Sequence, residues 1–340
     1  MTIKDNDTDE ALNWTGPAEA RSMVSRVRQF AANYSLPILL ALLIVGFSVA
    51  RPDTFATIAN LKTILSANSI VAILAIGALF PLVVGEFDLS LGANLGLSLI
   101  LCTGLSSQAS LSAPLAMIVA VAASALVGLV NGLLVARAGI DAFVTTLGMS
   151  ALITGAVVWY SNGGTFSTGL PDLITNLGTD SVLGVPVVVV ILTIVLVLGF
   201  YVMNATPLGR FLYAVGGSKD ASRLSGLNVR LLTTLAFVVS GFLAGLAGIL
   251  QAGLLGSGNP TVGPGYLLPA FAAVFLGATS FRRGTFNVAG TVVATFTLAV
   301  GVNGLVAIGA PFYIEPIFTG LALLTAALGA RAFVKSRTGG

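Results

Sequence analysis

The stretch Thr206-Pro-Leu-Gly-Arg-Phe-Leu-Tyr-Ala-Val-Gly-Gly-Ser-Lys-Asp-Ala-Ser-Arg-Leu-Ser-Gly-Leu-Asn228 decides how this chain is read. From Thr206 to Arg230 it carries Arg210, Lys219, Asp220, Arg223 and Arg230, yet the flanking chain is uncharged. Ser181 to Gly209 has no Asp, Glu, Lys or Arg, and neither has Leu231 to Phe281. Such runs exceed the ~20 residues that cross a bilayer. A short polar island between two apolar walls is a segment held at a membrane surface and turned towards water.

Its local chemistry predicts a small helix. Pro207 ends the preceding span, because proline cannot continue a helix. Gly216-Gly217 breaks the chain, Ser218 serves as an N-cap, and Lys219 to Leu224 forms one or two turns. Gly226 stops that helix, and Asn228 and Arg230 lead back to the membrane. A surface helix fixed between two rigid spans passes a push from a neighbour to both of them. An ordinary polar loop bearing cytoplasmic positive charge accounts for the same residues.

Composition agrees with the membrane reading. Hydrophobic residues make up 56% of the chain and charged residues 9%, with a mean hydropathy of +0.99. Soluble domains carry about 25% charged residues. The alternating segments of ~10 residues that mark a membrane β-barrel do not occur. The fold class expected is therefore an all-α polytopic membrane protein. The chain has no histidine, which excludes histidine-held metals and Ser-His or Cys-His catalysis. Cys102 has no partner for a disulfide, and no Gly-rich phosphate loop is present, so ATP-driven work would need nucleotide bound elsewhere. The sequence pI is about 9.2, but the charges sort by membrane side, and nucleic acid is not an expected partner.

About ten crossings are predicted: Leu36–Ala50, Ile64–Val84, Ala93–Leu105, Ala113–Ala136, Ala142–Tyr160, Val187–Met203, Leu231–Leu250, Tyr266–Ala278, Val288–Ile308 and Pro311–Ala330. With both termini in the cytoplasm, only Arg51 and Lys62 among the 16 basic residues fall outside, as the positive-inside rule requires. The division is a cytoplasmic tail over 1–34, a transmembrane domain over 35–331 with the polar segment at 206–230, and a tail over 332–340. The N-terminus is polar and mixed in charge, so no cleaved signal peptide is expected, and Met23 to Phe30 suits an interfacial helix. Ser161 to Pro186 and Gly256 to Gly265 read as outer segments with turns. The glycines of Ser240-Gly-Phe-Leu-Ala-Gly-Leu-Ala-Gly248 suit close helix packing in lipid.

Two further motifs stand out. Gly85-Glu-Phe-Asp-Leu-Ser-Leu-Gly92 places Glu86 and Asp88 beside hydrophobic spans, where charge is costly. Asp88 and Ser90 suit a broken helix or re-entrant turn, accepting hydrogen bonds from free backbone N–H groups. A capped turn near the inner face, a place on the solute path and a contact with a partner all remain open for Gly85, Glu86, Asp88, Ser90 and Gly92. Leu276-Gly-Ala-Thr-Ser-Phe-Arg-Arg-Gly284 sets Arg282 and Arg283 on the inner side, against lipid headgroups or a partner. Glu315 lies near the outer end of the last span and suits an interfacial position.

The segment Leu208 to Asn228 resembles the cytoplasmic loop of ribose-type ABC importer permeases, and the likeness continues through Ser240 to Leu250. It extends over about residues 35–330 and implies a type II ABC importer permease-like fold in the bacterial cytoplasmic (inner) membrane. The resemblance implies that Lys219, Asp220, Ala221, Ser222, Arg223, Leu224, Ser225 and Gly226 contact an ABC ATP-binding subunit. It also implies a second permease copy or a sister permease, an extracytoplasmic solute-binding protein, and ATP with Mg on the partner ATPase. No cofactor is expected on this chain. Members commonly show Gly-Ile-Asp-Leu-Ser-Val-Gly where this chain has Gly85 to Gly92, so Glu86 and Phe87 are departures. The paired arginines Arg282 and Arg283 depart as well. The expected function is the transmembrane subunit of an importer for a sugar-like solute, with no catalytic site of its own. An ion-coupled secondary transporter, a passive channel and a membrane-embedded enzyme are the rivals.

Overall fold

The computed structural model describes residues 34–282 and 284–338, so the N-terminal tail up to residue 33, with its expected interfacial helix, and Arg283 lie outside the described residues. Helices dominate: α1 (Ser35–Ala50), α2 (Ile58–Val83), α3 (Leu91–Ser107), α4 (Ala113–Ala136) and α5 (Ala142–Ser161) come first. After α6 (Asp172–Thr179) and a small hairpin of β1 (Ser181–Val182) and β2 (Val185–Pro186), α7 (Val187–Ala205) returns through the bundle. Then follow α8 (Pro207–Gly217), α9 (Lys219–Leu224), α10 (Val229–Leu255), a 3₁₀ turn (Gly263–Tyr266), α11 (Leu267–Gly277), α12 (Val288–Ala307) and α13 (Ile314–Thr338). Among the described residues, α2, α4, α5, α7, α10 and α12 are long and apolar enough to cross a membrane. Helices α1, α3, α11 with its 3₁₀ turn, and the apolar part of α13 are shorter.

Helix α10 is the axis. Its 27 residues pack against α2, α3, α4 and α6, and most of its inward face is glycine, alanine, serine or threonine. The backbones touch: a Cβ on Gly132 of α4 would lie 2.8 Å from Thr234 Cα and 3.0 Å from its carbonyl oxygen. Ser98 of α3 donates to the Gly245 carbonyl at 2.7 Å, and Thr234 donates to the Gly132 carbonyl at 3.3 Å. The glycines of α10 serve close packing, as their spacing predicts.

Three features differ from the sequence-based expectation. Residues 207–217 form the helix α8 with Thr206 as its N-cap, a second helix in a segment where only Lys219 to Leu224 was expected to be helical. Its buried side is narrow, Gly209, Leu212 and Val215, which short periodicity hides. Helix α13 continues beyond the expected end at Ala330 to Thr338, because the Ala, Arg and Lys residues there favour helix and glycine recurs only at 339.

The third difference concerns Gly256 to Gly265, expected as an outer loop. Gly258 pairs with Phe166 through two backbone hydrogen bonds of 2.9 and 2.8 Å. From there the chain runs inward along α3, and Gly263 packs on Gly92 and Gly96, at the start of that helix. Helix α11 then begins inside the bundle. Its 11 residues span about 16 Å, roughly half the ~30 Å hydrocarbon core.

The α4–α10 contact generates a test. Gly132→Val meets backbone that cannot yield, and overpacking of this kind costs on the order of 1–3 kcal/mol. The melting temperature in mild detergent should fall, whereas Gly46→Val, with nothing within 4 Å of its Cβ, should leave it in place. Equal melting temperatures for both variants would contradict the packing.

Candidate functional site

The polar island folds as its sequence predicts. The Ser218 hydroxyl accepts from Ala221 N–H at 3.2 Å, so it caps α9. At the other end Leu227 N–H bonds the Ser222 carbonyl and Gly226 N–H bonds Arg223, both at 3.0 Å, with Gly226 at φ +83°. This is a Schellman ending, which needs the left-handed conformation that glycine adopts freely. Ser222 is buried beneath the helix, while Asp220, Ala221, Arg223, Leu224 and Ser225 face solvent. Leu224 is 90% exposed.

The Gly85–Gly92 segment is the turn between α2 and α3. Helix α2 also ends in a Schellman motif: Glu86 N–H bonds Pro81 at 2.9 Å and Gly85 N–H bonds Leu82 at 3.1 Å, with Gly85 at φ +83°. Thr146 of α5 clasps the turn, its hydroxyl oxygen accepting from Leu89 N–H at 3.0 Å. Phe87 stacks on Phe271 and Phe275 of α11, with ring centroids 6.2 and 6.4 Å apart. Gly92 gives the room that Gly263 and Leu267 occupy.

Asp88 is 2% exposed and lies against Ser240, near the middle of α10. Its Oδ1 accepts from Ser90 N–H at 3.1 Å and from the Ser90 hydroxyl at 2.6 Å, and its Oδ2 from the Ser240 hydroxyl at 2.7 Å. Ser90 does not cap α3 with its side chain. Its hydroxyl donates to Asp88 and accepts from Asn131 Nδ2 at 2.9 Å, so α3, α4 and α10 meet on one carboxylate. A buried carboxylate needs such donors, since an unpaired one costs far more than any contact here returns.

The motifs picked out separately in the sequence come together at one end of the bundle. Lys219 Nζ, on the first residue of α9, donates to Glu86 Oε1. A Cβ on Gly216 would run into the Val83 carbonyl, so the ends of α8 and α2 touch backbone to backbone. The Tyr213 hydroxyl donates to the Phe286 carbonyl at 2.7 Å. Burial pushes the Tyr213 phenol up, and the Arg282 guanidinium pulls it partly back, which places Arg282 at this end too. Arg282 itself is exposed.

Sequence reasoning missed two cavities away from these motifs. One, of 480 Å³, is lined by Asn68, Tyr266, Thr295, Asn303, Glu315 and Thr319 together with aliphatic side chains. The other, of 600 Å³, has Lys62, Asp180 and Gln251 in its wall. Ala67 and Tyr266 border both. Asn303 is held by a reciprocal amide pair with Asn60, at 3.1 and 3.2 Å. Asn60, Asn68 and Asn303 within apolar helices are the signal that could have found this region, since polar side chains there are costly. Among the described residues no three or more His, Cys, Asp or Glu side chains gather as a metal site.

Residues 60–327 match the family described as a branched-chain amino acid transport system / permease component. The ribose import permease of Escherichia coli is 38% identical over 298 residues, covering 86% of this chain and 91% of that protein. Its counterpart in Haemophilus influenzae is 35% identical over 296 residues, 86% and 90% of the two chains. The D-allose transport system permease of Escherichia coli is 30% identical over 297 residues, 87% and 91% of the two chains. The chain belongs to this family of ABC importer permeases. No solved structure matches it. As a member of that family it is a multi-pass membrane protein and a transport subunit, and α9, the Asp88 turn and the 480 Å³ cavity all fall within the matched region.

The Asp88 seat makes a stability prediction. Ser240→Ala strips Asp88 Oδ2 of its donor and should cost about 1–3 kcal/mol, the penalty for an unsatisfied buried group. Thermal melting should separate it from Thr193→Ala, whose exposed hydroxyl bonds only its own helix. Indistinguishable melting curves would show that the Ser240 bond contributes nothing.

Proposed function

We propose that this chain is the membrane-spanning permease subunit of an ATP-driven ABC importer for a sugar or sugar-like solute, in the bacterial cytoplasmic membrane. It crosses about ten times with both ends in the cytoplasm. It pairs with a second copy or a sister permease. Two ATP-binding subunits, which hold ATP and Mg, sit beneath, and an extracytoplasmic solute-binding protein delivers the cargo. This chain itself binds no nucleotide and performs no covalent step.

One observation carries the reading. Helix α9 offers Leu224, Arg223 and Ser225 to solvent while its own base is fixed to Glu86 and to α10. An exposed leucine beside Arg223 on a capped, buried-rooted helix is a docking knob and not a mobile loop. The segment Lys219 to Gly226 is the contact for the ATPase. Closure of the ATPase pair on ATP draws α9 with it, and the bundle exchanges outward-open for inward-open forms. Such a switch requires the partner to bind the two forms with different free energies. The names of the relatives, ribose import permeases and a D-allose transport system permease, support a polyhydroxylated cargo, and the amide and hydroxyl groups around the two cavities suit one.

The test is affinity purification of the tagged chain from mild detergent after expression in its own host. A P-loop ATPase should come down with the wild type and be lost with Arg223→Glu plus Ser225→Trp. A folded wild-type protein that never retains an ATPase would overturn the reading and favour an ion-coupled transporter.

A further inference from the structure

We infer that the Glu86–Lys219 ion pair is a strut that carries the movement of α9 to the wall of the 480 Å³ cavity, with Glu86 as a positioning residue for transport. This rests on the ABC importer reading. Helix α9 already leads into α10 along the chain, through Gly226 and Asn228. The ion pair adds a second arm, from the start of α9 to the tip of the α2–α3 turn. The turn cannot move alone. Two residues beyond Glu86, Asp88 is fixed to Ser240, so the second arm returns to α10 well inside the bundle. Between them Phe87 stacks on Phe271 and Phe275 of α11. Pro269 of that same helix and Tyr266, just before its first residue, both border the cavity.

The strut is therefore a closed triangle of α9, the turn and α10, with α11 attached at its apex. Backbone contact between Gly216 and Val83 keeps α8 from sliding past α2. The left-handed Gly85 closes the Schellman ending that fixes the turn to α2. The carboxylate side of the ion pair is sheltered: the Glu86 side chain is 15% exposed, that of Lys219 42%. The only other ion pair among the described residues, Arg223 with Asp220 at 3.5 Å, is open to water and lies within α9 itself. It anchors nothing outside that helix.

Because the cargo is unidentified, the experiment reads the cavity wall. Asn68→Cys is placed in the full complex with its ATPase, and a small maleimide reports its labelling rate with and without ATP and vanadate. Buried Cys102 is replaced by serine to remove background. Nucleotide should change the rate about fivefold or more, the range a coupling free energy between two sites commonly gives. Glu86→Lys should abolish that change while the ATPase still co-purifies, and Glu86→Lys with Lys219→Glu should bring it back. Glu86→Gln, neutral and of the same shape, serves if the lysine variant does not fold and should weaken the change. A full nucleotide response in Glu86→Gln or Glu86→Lys with ATPase bound would overturn the strut. A wild-type protein with no ATPase bound would overturn the importer reading beneath it, a result that the co-purification lane distinguishes.

Discussion

Everything in this bundle hangs on how close α10 lets its neighbours come. In lipid an apolar helix gains nothing by leaving hydrocarbon for another apolar helix, so association depends on packing and on interhelical hydrogen bonds. Helix α10 supplies both. Its small residues bring the backbones of α3 and α4 into contact, and Ser98 and Thr234 reach carbonyls that a wider spacing would put out of range. Asn94 of α3 likewise donates to the Ser124 carbonyl of α4 at 3.0 Å. Larger side chains would push these helices apart and lose both terms together. With them would go the positions of the two segments that begin inside the bundle, α3 at Leu91 and α11 at Leu267.

Those inner helix starts explain the buried carboxylate. A chain that turns back inside the bundle leaves backbone N–H groups without helical partners. Asp88 accepts one of them, from Ser90, and two hydroxyls besides. The three donors come from two chain segments, and Asn131 of α4 supports Ser90 from a third. One acid thus sets the depth of the turn and the register of α3 against α4 and α10. Sited at the interface, the same acid would be solvated and would fix nothing.

The sequence was most legible where local chemistry decides structure. Proline, paired glycines, a serine cap and a stop glycine place α9 to the residue, because caps and Schellman endings are made within one turn of helix. Uncharged runs place the long helices for the same reason. Depth was not legible. Asp88 and Glu86 look alike in the text, two acids in a glycine-bounded turn, yet one is inside the bundle and the other pairs with Lys219 133 positions away. The inward path of 256–266 was hidden too, since Gly, Pro and Ser say that a segment is not regular helix and say nothing of where it goes. Only the surface of Gly92 and Gly96 gives that path its floor, and this surface exists once α3 has been placed.

Glu86, a departure from the pattern that the family resemblance implies for this turn, acquires a physical meaning from the same geometry. A small side chain there would leave Lys219 to water. A carboxylate instead takes up one of the few basic residues of the 206–230 segment and binds α9 to the turn. Surface ion pairs are worth little when both partners are free to leave. Here Glu86 is held by the helix ending at Pro81 and Leu82, and Lys219 by the cap at Ser218, so little freedom is lost when they meet. The two helix endings are what make the pair useful. A charge placed on a capped turn, facing a charge on a capped helix, ties α9 to the turn that Asp88 fixes to α10.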